Sequence, residues 1–265
     1  MIDIIHANDT YHLCNDRVSY VLGILPGGVA AHLYFGARVK AVNAVNALRH
    51  AGVFDLEGYS VQECSLDRVP QEYPSFGLGD LREGALSVEG PDGTCAVDLR
   101  FVKADIADGK PALIGLPATF GENCKTLTLT LRDEHTGLEA ALSYTIFEDC
   151  DAVARSAKLT NTGAAPLTVK RAMSLCLDLP EDKWELITLS GAWAREREVV
   201  RRPLAFGEQG VSTRNGASSL QTTPFMALAR PGATEQTGEA MGMALVYSGN
   251  FAANVTVHQD RKSVV

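Results

Sequence analysis

The side chains able to do acid–base chemistry are numerous but scattered. Carboxylates gather at Glu148-Asp149, Asp151 and Glu181-Asp182. Two carboxylic acids flanking one bond make a hydrolytic device. These acids, however, stand next to Pro180 or in short polar breaks between apolar runs, where Asp and Glu serve turns. The six histidines are dispersed without ligand spacing, which argues against a metal centre. His32 has apolar neighbours on a strand-like run and reads as a packed, hydrogen-bonded side chain. No H-E-x-x-H, G-x-S-x-G or phosphate-binding glycine loop occurs, and no cofactor is implied.

The aromatics carry more information. Trp184 and Trp193 flank one apolar run, WELITLSGAW, and Trp193 is followed by Ala194-Arg195-Glu196-Arg197. Tyr73, Phe76 and Phe225 stand beside Pro or Gly. Core packing at the ends of sheets is one reading, because aromatics dominate cores. Stacking on a sugar face, or docking onto a neighbouring domain, is the other. An exposed, contiguous patch of Trp193, Phe225 and Phe251 would favour the second.

Strands must position these residues. VSYVLGIL (18–25) stops at Pro26-Gly27-Gly28, and AAHLYFGARV (30–39) resumes, which predicts a hairpin. Leu86–Glu89, Cys95–Val102, Thr126–Arg132, Leu138–Phe147, Val153–Asn161 and Leu167–Leu179 follow as an antiparallel meander joined by Gly, Asp and Pro turns. The stretch 40–80 reads as a long excursion with little regular structure, and Ala41–His50 is the best helical candidate. The expected fold is all-β, a large antiparallel β-sandwich forming a single domain over 1–265. VTVHQDRKSVV keeps strand character to Val265, as though a strand were cut in its middle.

Composition narrows the function. The 265 residues carry a formal charge of −8, which argues against nucleic acid or an anionic membrane as partner. No window reaches the length of a membrane span, and no export signal opens the chain. The six cysteines form no C-x-x-C pair and read as reduced thiols of a cytoplasmic protein.

A set of ordered motifs then resembles one family. HLYFG (32–36), QEYPSFGLGDLR (71–82), GLPATF (115–120), FEDCDAVARSAKLTN (147–161), MSLCLDLP (173–180), LSGAWARERE (189–198), RNGASSLQTTPF (214–225) and LVYSGNFAANV (245–255) run along nearly the whole chain. Together they resemble the N-terminal domain of glycoside hydrolase family 36 α-galactosidases. The resemblance implies a β-supersandwich, here lacking its last strands, that precedes a catalytic (β/α)8 barrel absent from this chain. It implies retaining hydrolysis of terminal α-galactosyl residues, as in melibiose and raffinose, by two Asp residues of that barrel, so that residues 1–265 alone are inactive. It also implies a homo-oligomer in which loops of this domain shape the galactoside pocket. Asp55, in LRHAGVFDLEGYS (48–60), is the candidate for a galactose contact, although the family's pattern is not kept there. Asp80 and Arg82, two apart and on one side of an extended segment, are candidates to pin a loop. Trp193 is the second candidate for substrate binding, and Arg195 beside it for structuring the loop. Leu220 departs from the His usual at that point in the family. The alternatives are a free-standing carbohydrate-binding module and a non-catalytic interaction domain.

Overall fold

The computed structural model describes residues 1–40, 66, 69–77, 80, 82–180, 183–257 and 261–265. Among them there is no helix. The helical candidate Ala41–His50, and most of the excursion at 40–80, lie outside the described residues. The chain packs as two compact units: Met1–Pro111 with Phe120–Leu177, and Ala112–Thr119 with Asp178–Val265.

The first unit holds two four-stranded antiparallel sheets. One is β1 (Asp3–Ala7), β2 (Thr10–Cys14), β3 (Val18–Ile24) and β4 (Ala30–Ala37), in that order. After β5 (Leu86–Glu89), the other is β6 (Arg100–Asp108), β7 (Cys124–Arg132), β8 (Leu138–Phe147) and β9 (Val153–Asn161). The period-two pattern of TLTLTLR puts Leu127, Leu129 and Leu131 on the buried face, opposite Tyr144, Leu142 and Ala140 of β8. The turn between β7 and β8 is built by Asp133, whose carboxylate accepts the His135 N–H and the Thr136 hydroxyl. Gly137 closes it at φ 73°, and a Cβ there would meet Gly163 N at 2.6 Å, so no larger residue fits.

Two strand expectations need correction. The run Cys95–Val102 begins as a strand only at Arg100, because the backbone around Val97 is taken by the crossing loop. Val97 N–H donates to the Phe76 carbonyl at 3.2 Å, and the Ser75 hydroxyl donates to the Val97 carbonyl at 2.6 Å. The run Leu167–Leu179 divides into β10 (Thr168–Ala172), which pairs with β5, and β11 (Leu177–Pro180), which enters a sheet with later strands. The meander therefore ends at β9.

The second unit holds the sheet ordered β13 (Arg195–Pro203), β12 (Glu185–Ala192), β15 (Thr222–Ala229), β16 (Ala240–Ala244). Its other sheet is β11, β18 (Arg261–Val264), β17 (Phe251–Val257), β14 (Gly207–Thr213). Leu186, Met226 and Leu228 from the first sheet, and Phe251, Val255 and Val264 from the second, are buried. Arg230 lays its guanidinium 3.8 Å from the centroid of buried Trp184 and donates to Glu239 at 2.9 Å.

Charge is buried at the centre of the first unit. Glu72, on the segment 69–77, is 0% exposed. The segment is laid along β4 by the His32 N–H to Pro70 carbonyl bond (2.6 Å) and the Glu72 N–H to Ala30 carbonyl bond (2.9 Å). The carboxylate accepts from Tyr20 (2.7 and 2.9 Å), His32 Nδ1 (3.1 Å) and Tyr144 (2.9 Å), and forms an ion pair with Arg155 Nη2 at 3.0 Å. Arg155 also donates to the Tyr20 hydroxyl and to the Cys176 and Glu72 carbonyls. Burial opposes ionisation of Glu72, but the Arg155 charge and the hydrogen bonds from His32 and Tyr20 outweigh it and hold the carboxyl at about 2. Burial pushes the Tyr20 and Tyr144 hydroxyls well above their ordinary value, so they remain donors.

Removing one partner strands the other charge in the core. Arg155→Met is expected to cost about 3–5 kcal/mol of stability, read by urea unfolding, and the double variant Glu72→Leu/Arg155→Met to recover much of it. A carboxyl depressed from 4.5 stabilises the fold fully above pH 4.5 and progressively less as pH falls to about 2. The urea midpoint measured against pH is expected to drop across that window.

Candidate functional site

Two places gather the residues singled out by sequence. In the first unit, Asp80 and Arg82 form an ion pair at 2.7 Å with both side chains out of water. Arg82 Nη2 donates to the carbonyls of Leu66 (2.7 Å) and Val69 (2.6 Å). The second Asp80 oxygen accepts from Gln71 at 2.6 Å, and Gln71 also donates to the Leu66 carbonyl. The guanidinium fork thus serves the carboxylate through Nε and the backbone through Nη2, two separate nitrogens that a lysine does not have. Val69 joins Leu25, Val29 and Ala31 in an apolar cluster, with Leu33 and Leu66 packed against it. The loop is held by charge on one side and by apolar packing on the other.

In the second unit, Trp193 and Ala194 form the tip of the β12–β13 hairpin, between the paired residues Ala192 and Arg195. Trp193 is 88% exposed. Ala194 (φ 63°) and Arg197 (φ 56°) both occupy left-handed backbone, at about 1 kcal/mol each for a residue with a Cβ. A Cβ at Gly191 would meet the Arg195 carbonyl oxygen at 2.3 Å, so this glycine permits the close crossing that bends the tip. Strain of this kind collects where a side chain must be held in one place. Arg195 is exposed beside the tip.

Neighbouring loops support the tip. The Gly191 N–H donates to the Gln221 carbonyl at 3.2 Å, on a turn closed by reciprocal Ser219–Thr222 backbone bonds. Ser218 in turn bonds the Ser248 and Tyr247 carbonyls. Trp193, Leu220, Val246 and Tyr247 are the exposed apolar residues of these three connected loops. Of the three aromatics offered as a patch, Phe251 is buried in β17 and Phe225 is half-buried in β15, so Trp193 stands apart from both.

The two places belong to different units. Asp55 lies outside the described residues. Glu148 pairs with the N-terminal ammonium at 3.0 Å and Asp151 with Arg17, so both serve the chain's own surface. The described cysteines (Cys14, Cys95, Cys124, Cys150 and Cys176) are free thiols. Among the described residues no three His, Cys, Asp or Glu side chains are grouped to hold a metal ion. Sequence reasoning passed over Glu72. Its signal was a Glu inside the motif QEYPSFGLGDLR, next to an aromatic and between residues that otherwise read as loop.

Comparison with known proteins agrees with this architecture. Residues 28–265 match the glycosyl hydrolase family 36 N-terminal domain. The α-galactosidase AgaA of Geobacillus stearothermophilus is 41% identical over 254 residues, covering 94% of this chain and 35% of its own length. The crystal structure of α-galactosidase AgaB from the same organism superimposes with a TM-score of 0.92 at 37% identity, over 99% of this chain and 37% of that one. A variant of AgaA solved in complex with raffinose gives 0.89 at 39% identity, over 96% and 36%. The chain spans about a third of the length of the relatives it matches. With an all-β architecture and a family match over most of its length, the chain belongs to the glycosyl hydrolase family 36 N-terminal domain family.

Proposed function

We propose that this chain is the N-terminal region of a cytoplasmic, homo-oligomeric α-galactosidase that hydrolyses terminal α-galactosyl residues of melibiose- and raffinose-type oligosaccharides. The observation that carries this reading is 41% identity to an α-galactosidase across 94% of the chain, at a third of that enzyme's length. The acid pair of a retaining hydrolase lies in the reading outside residues 1–265, among the loops of a (β/α)8 barrel. The two units described above act together as one accessory domain. Free thiols fit a reducing compartment.

In this reading the chain shapes the pocket rather than doing the chemistry. Asp55 accepts hydrogen bonds from galactose hydroxyls, a directional contact able to separate epimers. Trp193, held out on a strained tip, offers an indole face to substrate. The Asp80–Arg82 clamp and Arg195 structure the loops that carry these contacts. The whole enzyme is what the substrate meets, so the accessory residues act on KM and assembly.

The decisive assay uses a chromogenic α-galactoside with residues 1–265 and, separately, with the longest reading frame that contains them. Turnover is expected only from the longer product, and turnover by the short chain would overturn the proposal. In the longer enzyme, Trp193→Ala is expected to raise KM about 5- to 30-fold with little change in kcat, the equivalent of losing 1–2 kcal/mol. An unchanged KM would remove Trp193 from the substrate contacts.

A further inference from the structure

His12 lies in β2, between β1 and β3, and is 3% exposed. Its Nε2 is 2.8 Å from Ser19 Oγ on β3 and 3.1 Å from Nη1 of Arg38, just past the end of β4. A guanidinium only donates. Nε2 must therefore be bare, and neutral His12 carries its proton on Nδ1. Ser19 Oγ accepts the Val39 N–H at 3.0 Å and donates its own proton to the same Nε2. Its other acceptor, the Val39 carbonyl, stands 3.5 Å away, at the limit of a hydrogen bond. Arg38 is tied further through Nη1 to the Val39 carbonyl and through its own N–H to the Arg17 carbonyl, both at 2.7 Å. Together these contacts form the joint at which the chain leaves β4.

The joint is built for one protonation state. The charged groups facing His12 are Arg38 beyond β4 and Asp3 on β1, and Asp3 is also engaged by Lys125 of β7 at 3.6 Å. The Cys14 thiol beside them is buried and pushed up by that burial, so it brings no charge. Burial first, and Arg38 second, hold the His12 proton affinity below its ordinary value of 6.5, against a smaller pull from Asp3.

We propose that His12, Ser19 and Arg38 form an acid-released joint, in which proton uptake at His12 Nε2 expels the Arg38 side chain from the place where the chain leaves β4. The proton comes from water and occupies the lone pair that Arg38 and Ser19 shared. Imidazolium then faces guanidinium, while Ser19 keeps its bond to His12 by reversing it, accepting where it had donated. The sign follows from burial of the neutral ring. The closed joint binds fewer protons than the open one, so release grows as pH falls below 6.5, up to about tenfold per pH unit. This window opens at 6.5, above the 4.5 at which that of Glu72 opens.

The test is a nitrogen-resolved NMR titration of the 265-residue chain. At neutral pH the His12 ring is expected to show a protonated Nδ1 and a bare Nε2. On acidification the Arg38 guanidinium nitrogen resonances are expected to shift, as the bond to Nε2 is lost, with the same midpoint as His12. In His12→Gln, which keeps an acceptor at the Nε2 position without titrating, the Arg38 guanidinium resonances are expected to stay constant through that range. A proton on Nε2 at neutral pH, or Arg38 release at the same pH in His12→Gln, overturns the proposal. Should His12→Gln fail to fold, the wild-type titration decides alone: coincident midpoints support the joint, and separate midpoints overturn it.

Discussion

The first unit depends on a carboxylate with no access to water. Glu72 and Arg155 meet at 3.0 Å in a core that also buries Tyr20, Tyr144 and His32. Taking two charges from water costs several kcal/mol each, and the geometry must return it. Here it does so by saturation: three hydrogen-bond donors, Tyr20, His32 and Tyr144, and the Arg155 guanidinium reach the two carboxylate oxygens, while Arg155 also serves two backbone carbonyls. The donors come from β3, β4, β8 and β9, so both four-stranded sheets are tied to one side chain of a loop segment. An apolar core would tolerate small slips of that segment. A hydrogen-bonded charge does not, because any shift strands a donor or the carboxylate.

That constraint explains how a chain without helices among its described residues can hold the crossing segment 69–77. The segment 69–77 borrows backbone partners from β4, from Val97 and from the start of β5. Its far end is closed by the buried Asp80–Arg82 pair, whose guanidinium reaches back to Leu66 and Val69. Where β4 ends, at Arg38 and Val39, a histidine and a serine serve instead. Charge and directionality hold the places where alternating side chains cannot, since a loop has no period to bury.

The second unit places its strain at the surface. Two residues with Cβ atoms take left-handed backbone within four positions, and the most exposed Trp of the chain sits at that tip. Trp184 and Trp193 are separated by one strand, yet one packs under Arg230 and the other stands in solvent. The same residue type at the two ends of β12 thus does opposite things, one covered by a guanidinium and the other not.

By itself the sequence determined the strands with clear alternation, β3, β4, β7, β8 and β9, because period two and a Gly or Asp turn are local properties. It also determined the family, through motifs read in order along the chain. It misjudged 95–102 and 167–179, where apolar residues continue but backbone partners come from distant segments. It read Glu72 as part of a loop, since nothing local announces a buried carboxylate: its cost is met by Tyr20, Tyr144 and Arg155, between 52 and 83 residues away. Only the tertiary structure decided which Trp is covered, that Asp80 and Arg82 pair out of water, and that His12 must be neutral beside Arg38. Each of these turns on desolvation and on donors supplied by other strands, quantities that exist only once the chain has folded.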